Sequence, residues 1–124
     1  MPMVGLGSAE GPDFDAMAAA VVAASHCGAG LVDTAQNYGS ETAVGEGLRR
    51  VRDSGGDLPF LVCKVDLASH AFEDPTSRMR RQVESTKKNL GVDKLDAVLL
   101  HWPICLDAAV NEAEQASVRR ESWR

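Results

Sequence analysis

The sequence predicts an α/β fold in which parallel strands alternate with helices, and three observations predict it. Short apolar runs recur at intervals of about 30 residues, the length of a strand plus its crossover helix. The runs are apolar throughout rather than alternating, as in parallel strands covered on both faces. Between them lie segments of helical period bounded by capping residues.

The elements follow in order. "PMVGLG" (2–7) is the first strand-like run, and "DFDAMAAAVVAASHCG" (13–28) is a helix with Asp13 as N-cap and Gly28 as its stop. "GLVDT" (30–34) reads as the second strand. The second helix, "SETAVGEGLRRVRDSGG" (40–56), opens with Ser40 and places Ala43, Val44, Leu48 and Val51 on one stripe. Gly45 and Gly47 are its weak points, because an interior glycine lowers helix propensity by about 1 kcal/mol relative to alanine. "FLVCKV" (60–65) is the third strand. A third helix starts at Asp74 and Pro75, carries Met79, Val83 and Leu90 on one face, and ends at Gly91. "LDAVLLHWP" (95–103) is the fourth strand, and residues 104–124 form a polar, helix-permissive tail.

A chain of 124 residues is one small domain or part of a larger one, and 44% hydrophobic content suffices for a core. The net charge of −5 opposes nucleic acid or an anionic membrane surface as partner. Arg78, Arg80 and Arg81, with Lys87 and Lys88, read as the wet side of a helix. No apolar segment resembles a signal peptide or a membrane span, and the three cysteines form no C-x-x-C pair, which sets a reducing cytoplasmic environment as the expectation. Cys27, Cys63 and Cys105 are expected as buried thiols. His26 beside Cys27 and His101 before Cys105 lack a second pair, so no metal site is expected.

Asp33, Lys64 and His101 each sit where an apolar strand ends, and Tyr38 lies in the loop from the second strand to the second helix. All four therefore fall on one rim, at the carboxyl ends of the strands, where loops of a parallel array converge on a ligand. Each alone has a bland reading: Asp33 as a turn cap, Tyr38 as loop packing, Lys64 as an edge cation, His101 as a satisfied core histidine. Their coincidence on successive strand ends favours a site. A buried lysine beside a tyrosine stabilises the phenolate, and an aspartate paired to that lysine holds it in place. With a histidine to orient an oxygen, such a group suits protonation of a carbonyl as hydride arrives from a nicotinamide cofactor.

In "MVGLGS", "VDTAQNYGSETAVGEGLRR", "FLVCKV" and "LDAVLLHWP", taken in this order and at these intervals, the chain resembles the first four βα units of an aldo-keto reductase. The resemblance covers residues 2–103 and implies a partial (β/α)8 TIM barrel over residues 1–103, followed by a tail at 104–124 that opens a fourth helix. It implies that Asp33, Tyr38, Lys64 and His101 are catalytic, with Tyr38 as proton donor. It further implies Gly7, Ser8 and Asp33 as cofactor-binding, His101 and Trp102 as substrate-binding, NADPH as cofactor, and a small-molecule carbonyl as substrate.

The chain departs from the family's pattern in three stretches. Gly7, Ser8 and Ala9 stand where Gly-Thr-Trp is usual, Val65 and Asp66 follow the lysine where an aromatic is common, and Ala29 and Gly30 replace an aromatic-Arg pair. The walls of the substrate pocket are thus depleted of aromatics. The chain is also about half the length of the family barrel of about 250 residues. Three readings follow: a fragment or truncated gene product of an NADPH-dependent carbonyl reductase, a half-barrel that dimerises, or a non-catalytic binding or regulatory remnant. Open strand edges give each of them a route to self-association.

Overall fold

The computed structural model describes residues 2–9, 13–67 and 74–105. They form β1 (Gly5–Gly7), α1 (Phe14–His26), β2 (Leu31–Asp33), a 3₁₀ turn (Gln36–Tyr38), α2 (Glu41–Asp53), β3 (Phe60–Leu67), α3 (Pro75–Leu90) and β4 (Ala97–Cys105). The four strands make one parallel sheet in the order β1-β2-β3-β4, so each helix is a crossover between neighbouring strands. The predicted tail from residue 106 onward lies outside the described residues. β4 itself runs past the expected end at 103, because a register irregularity opposite Val65 and Leu67 lets Cys105 pair with Leu67.

Local chemistry sets the boundaries. Asp13 caps α1 by accepting from the Ala16 amide, and Asp74 caps α3 by accepting from the Ser77 amide, with Pro75 in the first turn. Gly91 ends α3 in the left-handed conformation that glycine adopts without strain. Ser40 stands before α2 but makes no capping bond, since its hydroxyl is donated instead to the Ser8 carbonyl at 2.9 Å.

The core lies between the sheet and the helices. Val44 and Leu48 of α2 meet Met17 and Val21 of α1, together with Val32 of β2, Leu61 of β3 and Leu90 of α3, and Val51, Cys63 and Val65 are almost fully buried as well. Gly45 and Gly47 are contact points rather than defects. A Cβ at Gly45 would stand 2.3 Å from the Asn89 carbonyl oxygen, and one at Gly47 would stand 2.6 Å from Val21 Cβ. These two glycines let α3 and α1 approach α2 at backbone distance. Glu41, buried at the start of α2, accepts from Thr86 Oγ1 and Asn89 Nδ2, each at 2.7 Å, and so ties α2 to α3.

Candidate active site

Side chains alternate along a strand, and paired residues of adjacent parallel strands point to the same face. In the observed register Gly7 pairs with Asp33, Asp33 with Val62, and Lys64 with Leu99. Asp33, Lys64, Asp66 and His101 therefore share the face turned away from the helices, while Leu61, Cys63 and Val65 fill the helix side. Tyr38 reaches this face from the 3₁₀ turn, which Gly39 closes with a left-handed φ of 69°.

The four residues expected at the rim converge. Lys64 Nζ donates to Asp33 Oδ1 at 2.5 Å and stands 4.9 Å from the centre of the Tyr38 ring. Tyr38 Oη and His101 Nε2 are 3.4 Å apart, and the two rings meet edge to face at 82°. The His101 ring stacks on Trp102, which is half exposed. Burial opposes the charge on Lys64, yet the Asp33 carboxylate and the Tyr38 hydroxyl outweigh it and raise the ammonium's pKa. Lys64 is thus held as a cation beside a phenol.

Gly7 and Ser8 divide in placement. A Cβ at Gly7 would meet nothing within 4 Å, so the floor beside Asp33 is open. Ser8 is fully buried: its hydroxyl donates to Thr34 Oγ1 at 2.9 Å and lies 3.0 Å from Ser40 Oγ. Its side chain belongs to a hydroxyl bracket under the rim that joins the loops after β1 and β2. Among the described residues no group of three or more His, Cys, Asp or Glu side chains is placed to hold a metal ion.

Asp66 was legible only as a gap in an aromatic pattern, yet it stands at the site. Its Oδ1 is 3.3 Å from His101 Nδ1. The signal was its spacing of two from Lys64, which places both on one strand face. Behind it, Gln82 clamps the Asp66 backbone, accepting from its amide at 2.8 Å and donating to its carbonyl at 3.3 Å. Asp66, Gln36, Asn37, Arg78, Arg81 and Gln82 line a cavity of about 490 Å³ beside the cluster, so Arg78 and Arg81, read from sequence as a solvated face, border a concavity.

The cysteines split. Cys63 is buried, and burial with the nearby Glu41 carboxylate pushes its thiol up to about 11. Cys27 is exposed, contrary to the expectation of burial, because it falls on the C-terminal cap of α1, past the last buried turn. The side chain of Cys105 lies outside the described residues. No helix among the described residues is long and apolar enough to cross a membrane.

A parallel βα array with an Asp-Tyr-Lys-His cluster at its carboxyl rim defines the class. The aldo/keto reductase family profile matches residues 3–118, and the chain belongs to that family. It is similar to an aldo-keto reductase of Mycobacterium ulcerans, 38% identical over 103 residues, which cover 83% of this chain and 34% of the relative. Among solved structures, the aldose reductase of Giardia lamblia superposes with a TM-score of 0.74 at 25% identity, over 96% of this chain and 45% of that one. A Bombyx mori aldo-keto reductase solved in complex with NADP superposes with a TM-score of 0.76 at 24% identity, over 98% of this chain and 43% of that one. The fold is therefore that of part of a TIM barrel, and the chain spans about a third of the length of the curated relatives it matches.

Proposed function

We propose that this chain carries the proton-transfer cluster of an oxidoreductase that reduces an aldehyde or ketone to an alcohol with NADPH. The observation that carries the reading is Lys64, bonded to Asp33 and set against Tyr38, at the mouth of the sheet beside His101. A reduced nicotinamide, when bound, supplies the hydride that no side chain carries. Open space over Gly7, on the same face as Asp33, and the convergent Tyr38, Lys64 and His101 suit the reacting end of that group.

The chain's own residues handle the proton. Tyr38 gives its hydroxyl proton to the carbonyl oxygen as the carbon is reduced. The Lys64 ammonium stabilises the phenolate left behind, and Asp33 keeps the ammonium in place at low desolvation cost. His101, when its Nε2 carries a proton, orients the carbonyl oxygen toward Tyr38, and the exposed face of Trp102 offers an apolar wall to the substrate. Gly7 contributes by leaving room. Ser8 contributes its place in the bracket beneath the rim.

With this reading go a small-molecule carbonyl as partner, rather than nucleic acid or a membrane surface, and a cytoplasmic setting, resting on the net charge of −5 and on cysteines without a C-x-x-C pair. Self-association through the outer strands is proposed with it.

The test joins this chain to the part of the M. ulcerans relative that lies beyond the matched segment and follows NADPH consumption with a reactive aldehyde. The fused protein should reduce the aldehyde, and Tyr38→Phe should lower its rate by about 10²–10⁴-fold. The 124-residue chain alone should show no measurable turnover, since holding two reactants in attack geometry is worth about 7–11 kcal/mol and most of the family's length is needed to provide it. A folded, NADPH-binding fusion that reduces no aldehyde, or one indifferent to Tyr38→Phe, overturns the reading.

A further inference from the structure

We propose that Asp66 is a positioning residue that keeps a proton on Nδ1 of His101 and thereby sets what Nε2 presents to Tyr38. The inference rests on the reading of His101 as the residue that orients a carbonyl oxygen, but its physical content is independent of turnover.

Asp66 Oδ1 and His101 Nδ1 are 3.3 Å apart. Each has less than 1 Å² of exposed surface, and neither makes a hydrogen bond among the described residues, their mutual 3.3 Å contact included. The His101 side chain as a whole is 8% exposed. Two lone pairs facing each other at this distance without water repel, and each would bear the cost of an unmade hydrogen bond. One proton between them removes both penalties. Imidazole Nδ1–H donating to a carboxylate is the arrangement that meets this need.

The direction of the carboxylate is set from outside the site. Asp66 follows Lys64 by two on β3 and so points to the same face, and the two backbone bonds to Gln82 pin that point of the strand to α3. Gln36 in turn donates to the Gln82 carbonyl at 3.2 Å, tying the turn that carries Tyr38 to the same anchor. The charged and titratable groups near the pair are Lys64 from β3, Asp33 from β2 and Tyr38 from the turn, and Arg78 and Arg81 from α3 border the cavity that Asp66 lines.

With Nδ1 occupied, the neutral ring offers Nε2 as an acceptor, and the Tyr38 hydroxyl at 3.4 Å donates to it. Only a second proton makes Nε2 a donor to an incoming oxygen. Without Asp66 the neutral ring is free to carry its proton on Nε2, which then confronts the Tyr38 hydroxyl as a competing donor. An aromatic residue, common at this position in the family, has no acceptor with which to impose the first state.

The experiment reads the imidazole nitrogens directly, by long-range ¹H–¹⁵N correlation of the uniformly labelled full chain at about pH 9, above the ordinary imidazole range. His101 is assigned by loss of its signals in His101→Gln. The expected result is a protonated Nδ1 in the wild type, with the proton moved to Nε2 in Asp66→Leu. A bare Nδ1 in the wild type overturns the proposal, as does an Nδ1 that stays protonated in a folded Asp66→Leu chain. Should leucine disturb folding, as judged by circular dichroism, Asp66→Ala removes the acceptor without added bulk, and the wild-type spectrum alone still decides. Failure of the fused protein to reduce an aldehyde would count against the enzymatic reading and leave this spectrum unchanged, so the two failures are separable.

Discussion

Lys64 is the residue on which the rim depends, since it bonds Asp33 and lies against Tyr38 at once. Replacing it by methionine leaves the Asp33 carboxylate without its cation. Asp33 keeps 36% of its side-chain exposure, so solvent screens the loss, and Lys64→Met should cost about 1–3 kcal/mol at neutral pH by urea denaturation. The pH dependence has a definite sign. A raised folded-state pKa means that the contribution is complete below the ordinary lysine value of 10.5 and fades as pH rises through the folded value. The gap between wild type and Lys64→Met should therefore close toward strongly alkaline pH, and a gap that widens there would contradict the assignment. The thiols give a second check at this scale. Iodoacetamide near pH 8 should label exposed Cys27 in the native chain and spare Cys63, whose thiol is buried and pushed up to about 11; mass spectrometry of peptides should show Cys63 labelled only after denaturation. Asp33, Lys64 and His101 were legible because polar residues ending apolar runs stand out, and Tyr38 because it lies in the loop that follows one of those runs. Asp66 was not, because its meaning lies in a contact with His101, 35 positions away, that no local pattern encodes.

At the scale of elements, α2 inverts a propensity argument. Glycine to alanine inside a helix ordinarily stabilises by about 1 kcal/mol. Here the added methyl at Gly45 would stand 2.3 Å from the backbone oxygen of Asn89, and at Gly47 2.8 Å from that of Ala18, where no side chain can yield. Gly45→Ala and Gly47→Ala should each destabilise by about 1–3 kcal/mol net of the propensity gain, seen as a lower urea midpoint. A rise in midpoint would show that the helices are not in backbone contact. Glu41→Ala should cost at least as much, because Thr86 Oγ1 and Asn89 Nδ2 lose their acceptor in a largely buried setting. The caps divide in the same way. Asp13 and Asp74 act as their positions predicted, whereas the Ser40 hydroxyl is drawn to Ser8 by the meeting of two loops.

At the scale of the molecule, β1 and β4 are the outer strands of the sheet, and they differ as edges. β1 spans 3 residues and β4 spans 9, with Val98 and Leu99 each more than two-fifths exposed on opposite faces. A long strand with apolar residues showing on both faces is a template for pairing. The chain is expected to sediment with a concentration-dependent increase in mass, and charge placed at Val98 or Leu99, as Val98→Lys or Leu99→Lys, should reduce it. A monomer at all concentrations with cooperative unfolding would count against pairing through this edge.

By itself the sequence determined the order of strands and helices, their parallel direction, three of the helix boundaries at Asp13, Asp74 and Gly91, and the rim on which Asp33, Tyr38, Lys64 and His101 fall. Those properties follow from periodicity, capping chemistry and the handedness of βα crossovers, all of which act over a few residues or one repeat. Only the tertiary structure decided that Gly45 and Gly47 are contact points, that Ser8 turns inward to Thr34 and Ser40, that Cys27 is exposed, and that Asp66 faces His101. Each of these depends on the distance between groups far apart in the chain, and that distance is fixed by how the helices and strands pack, not by the residues on either side.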